Sequence, residues 1–335
     1  MEHRKIQSIG NYTLTVSLPK KWVVDNNLKK GDAVVVVTER DGSLRLSPRE
    51  KVKKTSSEFV IDADECDKPN LLKRMLVANY ILGREIIKIT SEREISYRHI
   101  KEIQSILPRL MGAAIVEEST NKLVIQGLME PAKFPVERLV RRLHTLTHKM
   151  LRETMVALTS LNTDKARDII RMEKDSDTVY WLILRQLELA LENPDLAREL
   201  EIEDLRQSLE YRSLAVRLES IADSAENIAK ISLDLKSPPS EPFARHISKL
   251  SERIIKAYEQ ILSSFFSKDS CLANDVIETL EEVRRHEWSP SREVTEQMDY
   301  VTSMALTLVL YHLKGIAEDI ARIGEITING SIIKE

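Results

Sequence analysis

Two pairs of carboxylates carry the chemistry this sequence offers most clearly. Glu173 and Asp177 lie four residues apart, and Glu219 and Asp223 repeat the same Glu-x-x-x-Asp spacing. On a helix that spacing sets both acids on one face. If neighbouring helices of a bundle bring the pairs opposite each other, four carboxylates repel unless protons or a cation intervene. Oxygen donors of this kind hold hard cations, so Mg, Mn and Fe, divalent or ferric, are all candidates. The plainer alternative is a pair of solvated helix faces, because acidic pairs at this spacing are common in a chain with 31% charged residues. His144 and His148 form a second four-residue pair and could chelate a transition metal. No Glu follows in the His-Glu-x-x-His order and no third ligand is evident nearby, so they read as partly buried polar residues.

The elements that must position these groups are helical. From Pro135 onward the sequence holds almost no β signal, and Pro194, the run Ser237–Pro242 and Pro290 cut it into long amphipathic pieces. Six helices are predicted, at about 135–161, 163–193, 201–235, 243–267, 269–287 and 291–327. In the third, Leu214, Leu218, Ile221, Ala225 and Ile228 recur at three/four spacing. The proline-rich run falls midway, and Ala166–Ile170 is faintly echoed by Ala273–Ile277. Two tandem three-helix bundles are the expectation, over 135–235 and 243–327 of a helical domain at 131–335.

Two smaller pieces precede the bundles. Residues 55–130 read as strand 58–62, helix 70–83, strand 85–90, helix 97–112 kinked at Pro108, and strands 114–118 and 122–126, a βαβαββ order with helices on one face of a small sheet. Residues 1–54 read as β structure: Leu14, Val16 and Leu18 alternate with polar neighbours, a short helix follows Pro19, and strands near 33–38 and 43–47 flank an Asp41-Gly42 hairpin turn. The unit has too few apolar side chains to close a core alone, so it should pair with a second copy. The fold class is therefore multidomain α+β, mainly α.

Composition narrows the function. Fifty Lys+Arg stand against 53 Asp+Glu, yet residues 1–54 hold twelve basic and six acidic side chains, a net +6, which leaves −9 for the rest. The two parts should meet different partners. Only nine glycines and eleven prolines occur, which speaks against a turn-dense all-β protein and a Gly-rich nucleotide enzyme. Cys66 and Cys271 are too few for a disulfide framework or a thiolate zinc site. With no apolar leader after Met1 and no stretch long enough to span a bilayer, a soluble cytoplasmic protein without membrane insertion is expected. Neither a Gly-x-Gly-x-x-Gly nor a Walker pattern is present, and Trp22, Trp181 and Trp288 read as packing.

The stretch Leu218-Glu-Ser-Ile-Ala-Asp-Ser-Ala-Glu-Asn-Ile-Ala229 resembles the Leu-Glu-Arg-Ile-Gly-Asp-His-Ala-x-Asn-Ile-Ala signature of PhoU proteins, six-helix, two-repeat regulators of phosphate uptake. The resemblance covers roughly 135–327. It implies metal binding at Glu173, Asp177, Glu219 and Asp223, with Asn227 as the amide that follows. Ser220 and Ser224 replace the usual Arg and His. In the second repeat the matching positions are Leu280, Arg284, Lys314 and Glu318, and the two cations stand where a metal would sit. Any site therefore belongs to the first bundle.

At the other end, Arg4-Lys-Ile-Gln, Leu18-Pro-Lys-Lys-Trp22 and Leu28-Lys-Lys-Gly-Asp32 resemble, in that order, the AbrB/SpoVT family over about residues 3–48. That resemblance implies half of a swapped-hairpin barrel shared by two chains, and DNA binding through Arg4, Lys5, Lys20 and Lys21. Val23 and Val24 stand where the family's repressors carry paired arginines, so base-edge contacts are poorly supplied. Together the two resemblances imply a non-enzymatic, DNA-binding homodimer that regulates phosphate uptake through a phosphate ABC transporter component or a signalling protein. The alternative is a dimeric adaptor that acts by protein contact alone.

Overall fold

The structure, a computed structural model, describes residues 3–10, 12–38, 42–48, 58–286 and 300–332. The chain forms two compact units, Met1–Ser57 and Glu58–Glu335.

In the first unit, β1 (Gln7–Ile9) pairs antiparallel with β2 (Thr13–Thr15), and β3 (Val34–Thr38) pairs antiparallel with β4 (Leu44–Pro48) in a register that sets Val34 against Pro48 and Thr38 against Leu44. Helix α1 (Lys20–Asp25) follows Pro19, whose fixed φ suits the residue before a first helical turn. The strand expected over 13–18 ends at Thr15, because β1 offers a partner only that far. Asp41 of the expected hairpin turn lies outside the described residues. The two hairpins form separate two-stranded sheets. Their apolar side chains are left open: Ile6, Ile9, Leu14, Val16, Val36 and Leu44 are each more than half exposed.

The second unit begins with a four-stranded sheet of order β5-β6-β8-β7, built from β5 (Glu58–Asp62), β6 (Ile86–Thr90), β7 (Ala113–Glu118) and β8 (Lys122–Gly127). The first two strands run parallel and the others antiparallel, as the βαβαββ order demands. Helices α2 (Leu71–Ile81) and α3 (Tyr97–Ile106) close the core, where Ile61, Leu72, Leu76, Ile89, Ile103 and Ile125 are buried. The helix expected to run on to residue 112 stops at Ile106. Leu107–Arg109 forms a 3₁₀ turn instead, because Pro108 lacks the N–H that would continue the ladder and its ring crowds the preceding turn.

The helical part follows. Its members are α4 (Val136–Ser160), α5 (Thr163–Glu192), the short α6 (Pro194–Glu199), α7 (Leu205–Asp234), α8 (Glu241–Ser267), α9 (Ser270–His286) and α10 (Tyr300–Ile332). Helices α4, α5 and α7 form one bundle, and α8, α9 and α10 form a second, on one continuous apolar core. Expected as a break, Pro194 instead opens α6, where Asn193 caps the backbone N–H groups of Asp195 and Leu196. The last helix, expected from 291, is described from Tyr300 onward. Arg217 of α7 bridges the bundles through Asp319 of α10 at 3.1 Å, and Asp319 is nearly buried.

Candidate functional site

Helix α5 carries a ladder of residues at steps of four: Glu173, Asp177, Trp181, Arg185 and Leu189. Steps of four keep a nearly constant face, and this face meets the α+β layer. At its far end, Leu189 lies against Gly83, where an added Cβ would stand 2.6 Å from the leucine side chain. Gly83 also has φ +79°, a conformation that only glycine adopts without strain. Next along, the buried Arg185 donates to the backbone carbonyls of Tyr80 at 2.5 Å and Arg84 at 3.2 Å, with its guanidinium 4.9 Å from the Tyr80 ring. Beside it Gln186, fully buried, donates to the carbonyls of Pro131 at 2.7 Å and Phe134 at 2.9 Å. The buried Arg185 guanidinium and the Gln186 amide nitrogen are thus satisfied by backbone carbonyls, while the Gln186 Oε1 is buried without a partner.

The other end of the ladder holds the acids. From the 3₁₀ turn, Arg109 reaches across to α5, donates to the Asp177 carboxylate and stands 3.7 Å from Glu173. Its guanidinium lies 4.9 Å from the Trp181 ring, a cation–π contact. Gly112, three residues on, lets the chain turn back at φ +75° beneath Met129, whose Cβ would be 2.5 Å from any Cβ placed there.

Glu219 and Asp223 stand on α7, which packs along α5 in the same bundle. The structure thus places all four expected acids on two neighbouring helices, and Asp177 acts electrostatically on both members of the α7 pair. Burial, reinforced by Asp223 and Asp177, pushes Glu219 up to about 7. Burial and the adjacent Asp177 likewise raise Glu173, with Arg109 opposing. Asp223 is raised chiefly by burial, with Lys230 opposing. As arranged, the cation facing the α5 pair is a guanidinium. Among the described residues no group of three or more His, Cys, Asp or Glu side chains is set to hold a metal ion.

The second repeat differs. Leu280, Arg284, Lys314 and Glu318 line a groove of about 360 Å³ between α9 and α10, shared with Glu281, Arg322 and Glu325. Its charges alternate in sign, unlike the all-acid set of the first bundle. The histidine pair is accounted for by packing: His144 sits 4.9 Å from Tyr258, and His148 Nε2 meets Glu259 at 2.8 Å. Burial drives His144 down to about 4.

Arg4, Lys5, Lys20 and Lys21 of the first unit are exposed. Arg4 donates to Ser17 Oγ at 3.1 Å, which draws the Arg4-Lys5 stretch toward the loop that leads into Lys20 and Lys21 at the start of α1.

Two participants escaped the sequence reading. Trp181 reads as packing, and nothing in the sequence singles out Arg109. A local signal exists only for the tryptophan, which falls on the Glu173-Asp177 face at the next four-residue step.

Comparison with known proteins bears on the first unit and on the helical part. The PhoU domain model matches twice, at residues 140–232 and 247–331, one match for each bundle. Residues 7–54 match the model of the MazE antidote-toxin recognition family of bacterial antitoxins, so the first unit is MazE/AbrB-like. No curated protein matches. Among solved structures, the phosphate transport system regulatory protein PhoU from Streptococcus pneumoniae is similar at TM-score 0.50 and 20% identity, over 60% of this chain and 94% of that one. PhoU from Pseudomonas aeruginosa is similar at TM-score 0.53 and 19% identity, over 60% and 96%. At such identities the structures speak for the fold. The two domain matches together span more than half of the 335 residues, each on its own three-helix bundle, and the chain belongs to the PhoU family.

Proposed function

We propose that this chain is a cytoplasmic regulator of phosphate uptake that pairs with a second copy through residues 1–54 and binds DNA there. In this reading Arg4, Lys5, Lys20 and Lys21 engage phosphates, and the helical domain relays phosphate status to a transporter component or a signalling protein. The observation that carries it is the state of the first unit. Its apolar side chains are open to solvent in a single chain, as half of a shared barrel requires, while its net charge is +6 in an otherwise acidic protein. Duplication by a two-fold axis would double the basic surface, and phosphate contacts of that kind give an affinity that falls steeply with salt. The family match and the likeness to two PhoU structures support the phosphate reading.

The test is genome-wide occupancy of the tagged protein in phosphate-rich and phosphate-poor cells, beside a Lys20→Glu/Lys21→Glu variant. Phosphate-dependent enrichment near transporter genes, lost in the variant, is the expected result. No enrichment in either medium removes DNA from the mechanism.

A second reading, an adaptor acting by protein contact alone, is favoured by one observation. The first unit matches a family named for recognition of a protein, and Val23 and Val24 supply no side chain that could hydrogen-bond a base edge. On that reading the Lys20→Glu/Lys21→Glu variant keeps full activity in cells. Both readings describe a regulator and not an enzyme.

A further inference from the structure

Where the two bundles meet, α7 and α10 border a groove of about 390 Å³. Among the described residues its lining holds three arginines, Arg212 and Arg217 of α7 and Arg322 of α10, with Ser213 and one acid, Glu325. Asp319 of α10, nearly buried, accepts from Arg217 at 3.1 Å and stands 3.9 Å from Arg322, beyond hydrogen-bond reach. One carboxylate thus draws together guanidiniums from two helices, and its charge offsets only one of them. A third guanidinium is held at the groove by the pairing of Arg212 with Glu188 of α5 at 3.1 Å. Arg212 and Arg322 stay about half exposed, so a solute in the groove can reach them. The adjoining groove between α9 and α10 shares Arg322 and Glu325, but there Glu281 and Glu318 stand among the cations. The excess of positive charge lies at the α7 end.

Guanidinium forks match phosphoryl oxygens better than any other side chain does. Glu325 adds a selection. A carboxylate repels an oxyanion unless that anion has a proton to donate to it. Inorganic phosphate near neutral pH keeps a proton on one oxygen, whereas sulfate, of the same charge and shape, has none. A phosphate monoester has largely lost its second proton at pH 7, since that pKa is about 6.

We propose that this groove binds inorganic phosphate, with Arg212, Arg217 and Arg322 holding the anion and Glu325 accepting its proton in a hydrogen bond. The anion supplies the negative charge that Asp319 alone lacks, and it ties α7 of the first bundle to α10 of the second. The assignment rests on the chemistry of the groove. Its consequence, that the helical domain reads phosphate directly, rests on the regulatory function proposed above.

The test titrates sodium phosphate, sodium sulfate and AMP into the full chain at constant ionic strength, read by isothermal titration calorimetry. Phosphate should bind, and more tightly than sulfate or AMP. Arg322→Gln should weaken phosphate at least about tenfold, the scale of a hydrogen bond to a charged group. Glu325→Gln should bring sulfate level with phosphate. Lys20→Glu/Lys21→Glu should bind phosphate as the parent does, which separates the groove from the basic first unit. No phosphate binding by the parent overturns the proposal, and so does binding that Arg322→Gln leaves intact. Sulfate or AMP bound by the parent as well as phosphate overturns the choice of ligand. If Arg322→Gln does not fold, as judged by helical circular dichroism, Arg212→Gln takes its place with the same outcomes. Phosphate-dependent occupancy in cells by a protein that binds no phosphate would leave the regulatory reading standing and remove this groove from it.

Discussion

Arg109 and Asp177, 68 positions apart in the chain, form an ion pair that joins the α+β layer to the first helix bundle. The pair sits where the sequence concentrates negative charge, with Glu173 on the same face and Glu219 and Asp223 on the next helix. It therefore does two things at once: it docks a domain and it neutralises a motif. Arg109 removed leaves both Asp177 and Glu173 partly buried and uncompensated, whereas Asp177 removed leaves Arg109 facing Glu173 alone.

The energetic expectation follows from that asymmetry. Arg109→Leu should lower stability by about 2 kcal/mol, below the range for fully buried pairs because the side chains keep some solvent, and Asp177→Asn by less, because Glu173 still faces the guanidinium. The double variant should lose less than the two single losses combined, since the second removal no longer breaks the Arg109–Asp177 pair. Urea midpoints of the three variants, taken as a double-mutant cycle, measure the coupling. A coupling near zero would mean that solvent already screens the pair and that Arg185 and Gln186 do all the docking.

Gly83 offers a second test of the same interface. Its φ of +79° and the 2.6 Å approach to Leu189 penalise a side chain for separate reasons. Gly83→Ala should cost about 1–2 kcal/mol, the backbone share from the left-handed conformation and the remainder from the clash. Adding Leu189→Ala removes the clash and leaves the backbone strain, so recovery should be partial. Thermal melts of the single and double variants separate the two contributions.

These contacts also mark what a sequence can disclose. The helices that carry the acids were legible because Leu214, Leu218, Ile221, Ala225 and Ile228 repeat at helical spacing, and the acids fall on fixed offsets from them. The βαβαββ order was legible for the same reason, since alternation and helical period switch at clear boundaries. Arg109 was not. Its importance comes from a long-range contact across 68 positions, and no local period encodes the side of a bundle on which a neighbouring domain will settle. The end of α3 was misread on simpler grounds: Pro108 was expected to kink the helix, whereas the missing N–H ended it and so placed Arg109 in a turn that faces α5.

His144 predicts a pH dependence with a definite sign. The imidazole packs against Tyr258 and is faced by His148, Glu259 and Arg141, and burial lowers it to about 4 from an ordinary 6.5. Between those values the unfolded chain takes up a proton that the folded chain refuses. The histidine's contribution is therefore complete above about pH 6.5 and is lost as pH falls toward 4, by roughly 2–3 kcal/mol over the window. Glu219, raised to about 7, acts in the opposite direction across much of the same range. The informative quantity is thus the difference between parent and His144→Phe. That difference should shift in favour of the variant on acidification, read from urea unfolding at pH 7, 6 and 5. A difference independent of pH would show that the imidazole titrates alike in both states.

Pairing through the first unit makes the last prediction. Val36 lies on β3, more than half exposed, in a unit where Ile6, Ile9, Leu14 and Leu44 are more than half exposed as well. Covering such a surface with a second copy removes apolar area from water at roughly 25 cal/mol per Å², whereas an aspartate placed there would have to be buried without a partner. Val36→Asp should therefore convert a dimer into a monomer in light scattering of the full chain. Lys20→Glu/Lys21→Glu, which alters only exposed lysines at the start of α1, should leave the mass unchanged while weakening any salt-sensitive gel shift. A Val36→Asp variant that stays dimeric would move the interface away from this face and onto the helical unit. The basic residues would then have to act from a single copy, and the doubling that favours DNA over a protein partner would be lost.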